Sequence, residues 1–275
     1  MTLSVNTNLG AMTALQYLSG TQAQMAQTQN AISTGYKVAS AKDDGATYAI
    51  AQNMRGNVAA YGAVTDSLNR GISAVDVAMS AGQSISDLLV QMKSKALAAA
   101  DSSLDTASRQ ALNNDFTALR DQITTIVKNA VFNGFNLVDG STNQISAMAS
   151  TDGSRRVTVS AQKLTLSGSI VTIKSTGTIS TAAKASTMVA TVQASLTNVN
   201  SALAKLSSGA KKFSIQIDFA TKLSDTLQTG IGNLVDANMA VESANLTALQ
   251  TKQQLGVQAL SIANSSPNIV LSLFQ

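Results

Sequence analysis

Apolar residues recur along most of this chain at alternating spacings of four and three, the signature of helices that each bury one narrow stripe. Ala11, Leu15, Leu18, Gln22, Met25, Gln29 and Ile32 mark the first such stripe. Glutamine at two of these positions leaves the helix marginal in water, so it needs partner helices. A polar stretch, YKVASAKDDGAT, follows Gly35, and the turn and cap chemistry from Ser40 to Gly45 predicts a boundary there. Beyond it the pattern runs Tyr61, Leu68, Ile72, Val75, Met79, Gly82, then shifts phase to Ile85, Leu89, Met92 and Ala96. Such a shift predicts a stutter that relaxes the supercoil locally. A break at AADSSLDTAS, with Ser102, Ser103 or Asp105 as candidate caps, precedes a stripe of Leu112, Phe116, Leu119, Ile123, Ile126 and Ala130. An antiparallel helix pair follows from that order.

From Asn133 the texture changes. FNGFNLVDGSTNQ is rich in Asn and Gly, and RRVTVSAQKLTLSGSIVTIKS alternates Val, Leu and Ile with polar residues at period two. Two or three short hairpin strands are predicted within 141–178, turning near Asp152-Gly153 and Gly168. Helix returns near 180 with Val189, Val192, Leu196, Val199, Leu203 and Leu206, and Gly209 is expected to interrupt it. The last pattern holds the same alternation from Phe213 through Ile217, Ala220, Ser224, Leu227, Ile231, Leu234 and Asn238 to Val241. Leu246, Leu249, Val257 and Leu260 continue an apolar face until Pro267, which is expected to end the helix. An apolar tail with Ile269, Leu271, Leu273 and Phe274 then closes the sequence.

The predicted fold is therefore mainly α: a long antiparallel helical bundle, terminal coiled-coil helices and a small β-hairpin region at mid-chain. Each terminal helix lacks an obvious local partner, so the two are expected to meet.

Composition narrows the function. The chain has 275 residues, of which 44% are hydrophobic, enough for a packed core, while only 12% are charged. Its surface must therefore be largely small and uncharged, which suits close protein contacts. It has neither cysteine nor histidine, which removes disulfides, the usual zinc ligands and the Ser-His-Asp mechanism. The net charge is +4, but the basic residues are scattered without interleaved aromatics, so nucleic acid is not an expected partner. No apolar run of membrane-spanning length occurs, and no conventional secretory signal opens the sequence.

Candidate chemistry is sparse. Asp43-Asp44 is the one adjacent carboxylate pair, a pattern that can serve acid-base work or a divalent cation, but before a helix start it favours the N-terminal dipole. Arg155-Arg156 at a predicted hairpin could grip an anion or simply be solvated. Phosphate-binding glycine loops and EF-hand loops are absent from the sequence. No catalytic site, metal site or cofactor is expected.

The two ends carry a resemblance. SVNTN followed by AMTALQYL, then ISTGYKVASAKDDGATYAIAQNM, and FNG with LVDG at the close of the first half, are similar to blocks of the bacterial flagellins. LVDANMAVESANLTALQTKQQLGVQALSIANSSPNIVLSLFQ is similar to that family's ending, and the short length looks alphaproteobacterial. The resemblance implies terminal helices, 1–44 and 233–275, that form the inner tube of a filament, and a rod-like bundle over 45–232.

It further implies a structural protein, not an enzyme, that assembles with copies of itself into the hollow helical filament used for swimming. Leu15, Leu18, Met25 and Ile32 would pack on Leu246, Leu249, Val257, Leu260 and the tail residues Ile269, Leu271, Leu273 and Phe274, within and between subunits. Asp43 and Asp44 would lie in the connector from inner helix to rod. Hook–filament junction proteins, the filament cap, and the flagellar export apparatus with its chaperone are the implied partners. The implied location is outside the cell, reached by export without a cleaved signal. Exposed hydroxyls such as Ser154, Thr158 and Thr176 are candidate O-glycosylation sites. A hook-associated or junction protein is the alternative. Where many flagellins carry Arg, Glu and Leu for Toll-like receptor 5, this chain has Lys93, Ser94 and Lys95, which puts recognition by that receptor in doubt.

Overall fold

A computed structural model describes residues 7–271, the last six through their helical backbone alone. In chain order the elements are α1 (Leu9–Thr34), α2 (Gly45–Ala99), α3 (Thr106–Asn129), β1 (Gln144–Met148), β2 (Arg156–Ser160), α4 (Ala182–Val235) and α5 (Met239–Leu271). The chain divides into two compact units: one from the segments up to Gly56 and from Thr226 onward, the other Asn57–Asp225.

In the second unit α2 and α4 lie antiparallel. A Cβ on Gly71 would stand 3.1 Å from the Phe213 ring, one on Gly82 would stand 2.7 Å from Leu203, and Lys93 Nζ donates to Gln193 Oε1 at 2.7 Å. As numbers rise on one helix they fall on the other.

The buried line of α2 is Val64, Leu68, Gly71, Val75, Ala78, Gly82, Ile85, Leu89, Met92, Ala96 and Ala99. It alternates by four and three without a break, so the predicted stutter does not exist. Tyr61, Ile72 and Met79 are only partly buried flank positions. Gly71 and Ala78 hold the stripe positions beside Ile72 and Met79, and residues that small carry little weight in a hydrophobic pattern although they allow backbones to approach closely.

The same cause explains Gly209, which does not interrupt α4. A Cβ there would lie 2.5 Å from Val159 Cγ1, so the bare backbone is what seats β2 against the helix.

α3 starts at Asp105, whose carboxylate accepts from the amides of Ala107 and Ser108. That hydrogen bonding, led by Ser108, holds the Asp105 carboxyl below its ordinary pKa. Arg109 folds back onto the carbonyls of Ala99, Asp101 and Leu104, closing the turn from α2, and Lys95 pairs with Asp115 at 2.7 Å across it. Phe116 and Ile123 enter the core. After α3, Asn133 and Gly134 both take positive φ, 48° and 83°, between the mutually bonded Phe132 and Phe135. Two central residues of that conformation make the tight hairpin turn for which Asn-Gly is suited.

β1 and β2 pair antiparallel with Gln144 opposite Ser160 and Met148 opposite Arg156, turning at Asp152-Gly153 as predicted. The stretch after Ala161 also turns near Gly168 but builds no further ladder. Its apolar positions Leu164, Val171, Ile173 and Ile179 are buried in the bundle core. Its amides are met piecemeal: Gln162 and Leu164 donate to the carbonyls of Leu137 and Val138, Ser167 and Gly168 to those of Ile173 and Val171, Thr172 to Ser195 Oγ and Ile179 to Asn113 Oδ1. Period-two burial is thus satisfied without a neighbouring strand.

The hairpin tip titrates in acid. Hydrogen bonds from the hydroxyl of Ser150 and from Ser154 lower the Asp152 pKa from 3.8 to about 2. Because the folded value is depressed, its stabilisation is full above the unfolded pKa near 4 and is lost as pH falls toward 2. Amide exchange at Ser150–Arg155 is expected to quicken across that window, relative to the intrinsic rates, and Asp152→Asn is expected to remove the pH dependence. An unchanged profile in the variant would refute the assignment.

Candidate functional site

The first unit is built on the two terminal helices. α1 begins at Asn8, whose Oδ1 accepts from Ala11 N–H at 3.0 Å, and ends at Gly35, which takes φ 76° and donates to Ala31. α5 lies antiparallel on it. Gly10 stands near Ala263, where a Cβ would come within 3.7 Å of the alanine methyl, and Gly256 stands under Leu18. The two terminal helices meet, as expected, and they do so within one chain.

The line of contact differs in detail from the predicted one. On α1 the covered positions are Ala11, Ala14, Leu18, Thr21, Met25, Thr28 and Ala31, with Ile32 beside them. Thr21 and Thr28, not Gln22 and Gln29, occupy the stripe, and Thr21 Oγ1 is satisfied by donating to Tyr17 O at 2.9 Å. On α5 the line is Leu246, Leu249, Gln253, Gly256, Leu260 and Ala263. Leu15 is 57% exposed and Val257 53% exposed, one residue off these lines. Small residues at 14 and 256 explain the offset, since they bring the helix axes together where leucine and valine would hold them apart.

Two further expectations are corrected. The stripe of α4 does not run unbroken through Asn238 to Val241. α4 ends at Val235, and Asn238 starts α5 by accepting from the amides of Ala240 and Val241. Nor does Pro267 end α5, which continues to Leu271. A proline forfeits one N–H bond and crowds one carbonyl, and the helix runs on through that penalty. The side chains of Ile269 and Leu271, and all of Leu273 and Phe274, lie outside the described residues.

Asp43 and Asp44 sit between α1 and α2 and are both spent on backbone. Asp43 Oδ2 accepts from the amides of Ala39 and Ser40, while Asp44 Oδ1 accepts from those of Ala46 and Thr47 and so caps α2. The Thr47 hydroxyl and amide hold the Asp44 carboxyl below its ordinary pKa. Before this corner the chain is tied to the end of α4: Lys37 N–H donates to Val235 O and Ala237 N–H to Gly35 O, both at 2.8 Å. Among the described residues no group of three His, Cys, Asp or Glu could hold a metal, and no helix is long and apolar enough to cross a membrane.

Part of what remains uncovered is apolar. On the outer faces of α1 and α5, Met12, Leu15, Tyr17, Leu255, Val257 and Ile262 are each more than half exposed. Met12, Tyr17, Leu255 and Ile262 escaped the sequence reading because a search for one stripe discards apolar residues that fall outside it. Their presence on a helix already bearing a stripe was the available signal.

Two family models match the chain, the bacterial flagellin N-terminal helical region over residues 5–143 and the C-terminal helical region over 189–274. The first alone covers half the sequence.

This chain belongs to the bacterial flagellin family.

It is 50% identical to the flagellin FljK of Caulobacter vibrioides over 99% of this chain and 98% of that one. It is 35% identical to a flagellin of Brucella melitensis, over 99% of both. Among solved structures, a flagellin of Bacillus cereus superposes with a TM-score of 0.50 at 19% identity, covering 56% of this chain and 88% of that one, and so shares its fold. In this flagellin Lys93 and Lys95 are engaged with Gln193 and Asp115, and Ser154, Thr158 and Thr176 are exposed.

Proposed function

We propose that this flagellin is a structural subunit that self-assembles into the hollow helical flagellar filament, which turns as a propeller for swimming. The observation that carries the proposal is the pair of terminal helices that bury one side on each other and leave Met12, Leu15, Tyr17, Leu255, Val257 and Ile262 bare on the other. Apolar surface of that extent on a paired helix is stabilised by removal from water, and copies of the chain supply the matching helices. Repetition of a contact that does not close on itself produces a filament.

In this reading the terminal helices, 1–44 and 233–275, form the inner tube, Asp43 and Asp44 form the connector, and 45–232 forms the outer bundle. Leu15, Leu18, Met25 and Ile32 pack with Leu246, Leu249, Val257, Leu260 and the tail residues Ile269, Leu271, Leu273 and Phe274 of the same and adjacent subunits. The filament lies outside the cell and is reached through the flagellar export apparatus with a chaperone. Junction and cap proteins bound it at its ends. The protein performs no catalysis. Toll-like receptor 5 binds it poorly, because lysine lacks the guanidinium fork and Lys95 puts a charge where leucine is usual. Ser154, Thr158 and Thr176 are candidates for O-glycosylation.

The match of both halves to flagellins favours a propagating subunit over a junction or hook-associated protein. Purified protein added to sheared filament fragments is expected to lengthen them in proportion to the amount supplied, as measured by electron microscopy. Growth that stops after one short, fixed increment would show a capping or joining protein instead.

A further inference from the structure

One contact joins the first and last helices through a single side chain. Asn8 Oδ1 accepts from Ala11 N–H and starts α1, while Asn8 Nδ2 donates to Ala263 O on α5 at 2.7 Å. Ala263 stands four residues before Pro267, and the helix runs through both. In a regular helix the carbonyl of residue 263 would accept from the amide of residue 267. Proline has no N–H to give, so that acceptor is released.

We propose that Asn8 and Pro267 form a register lock. The proline frees one carbonyl on α5, and the asparagine that begins α1 fills it, which sets how far α1 is displaced along α5. The side chains on the contact, small ones and leucines alike, recur at spacings of four and three, so a slip by one repeat still brings apolar residues together. A carbonyl left open at one position, by contrast, is met in one register only. An asparagine is required because it must accept and donate at once. Aspartate and serine could still cap α1, but neither reproduces the amide's N–H across to α5.

The lock rests on the filament reading for its measurement, and the two fail differently. The critical concentration for assembly is to be measured for the wild type, Asn8→Ser, Pro267→Ala and the double variant. Serine retains the cap and removes the cross-helix donor. With Pro267 present, Asn8→Ser is expected to raise the critical concentration about tenfold, the effect of leaving one partly buried acceptor unmet. In the Pro267→Ala background the restored backbone amide satisfies the Ala263 carbonyl, and the same change is expected to cost less than about twofold.

An equal penalty in both backgrounds would overturn the lock while leaving the filament reading intact. Absence of polymer from the wild type would overturn the filament reading instead. Should Pro267→Ala not assemble, the ¹³C shift of the Ala263 carbonyl in labelled filaments decides. It is expected to move upfield in Asn8→Ser, and an unmoved resonance refutes the contact.

Discussion

A chain ending at Asn264 is expected to stay folded and soluble but to yield no filaments at any attainable concentration. The truncation removes Pro267 and the apolar residues Ile269, Val270, Leu271, Leu273 and Phe274. Burial of side chains of that size stabilises by about 1.5–3 kcal/mol each, so the gross loss per subunit is on the order of 10 kcal/mol. Each 1.4 kcal/mol shifts an equilibrium constant about tenfold, which puts the critical concentration beyond reach. The unit spanning Asn57–Asp225 has its own core, from Leu68 and Ile85 through Phe116 to Phe213, and its thermal transition is expected to be unchanged. Sedimentation and electron microscopy check the first half of the expectation and calorimetry the second. Filaments of ordinary length from the truncated chain would remove the tail from the assembly surface.

Phe213→Ala is expected to have the largest effect on folding. Phe213 is fully buried in α4, and its ring covers Gly71 of α2, where a Cβ would stand 3.1 Å away. Truncating a buried phenylalanine costs about 3–5 kcal/mol in lost transfer energy and residual cavity. For a unit of this size that lowers Tm by on the order of 10 °C. The glycine opposite provides a control. Gly71→Ala alone crowds the ring, so the helix-propensity gain of alanine is offset by strain. In the Phe213→Ala background the ring is gone, and the same substitution is expected to recover about 1 kcal/mol. Simple additivity of the two changes in denaturant melts would show that the residues do not share one packing site.

Much of the architecture was legible because the helices are long and their stripes repeat many times. Even where individual positions were misassigned, as at Tyr61, Ile72 and Met79, the period still identified helix. The hairpin turn at Asp152-Gly153 and the caps near Ser40–Gly45 and Asp105 were legible because they rest on local backbone chemistry, which neighbouring residues settle by themselves. Several of the errors share one origin. The stripes pass through Gly71, Gly209 and Gly256, residues that the hydrophobic pattern passed over. Each is covered by what the partner places on it: Phe213, Val159 or Leu18. No local signal carries that information.

The candidate site divides in the same way. Leu18, Met25, Ile32, Leu246, Leu249 and Leu260 were named from their spacing and lie partly covered in the terminal pair. Leu15 and Val257 were named with them and are turned outward. Which of two adjacent apolar residues faces the partner depends on the rotation of the whole helix, and small residues on both helices set that rotation.

Composition, periodicity and terminal motifs by themselves determined that the protein is helical, lacks histidine and cysteine chemistry, resembles the flagellins and has ends that require partners. Those are properties of local sequence and of residue supply. Only the tertiary structure decided that the stripes pass through glycine, that the Gly168 region buries its apolar residues without a ladder, and that Asn8 meets Ala263 across the length of the chain. Each depends on the shape a distant segment presents, and close packing makes that shape decisive at the scale of a single methyl group.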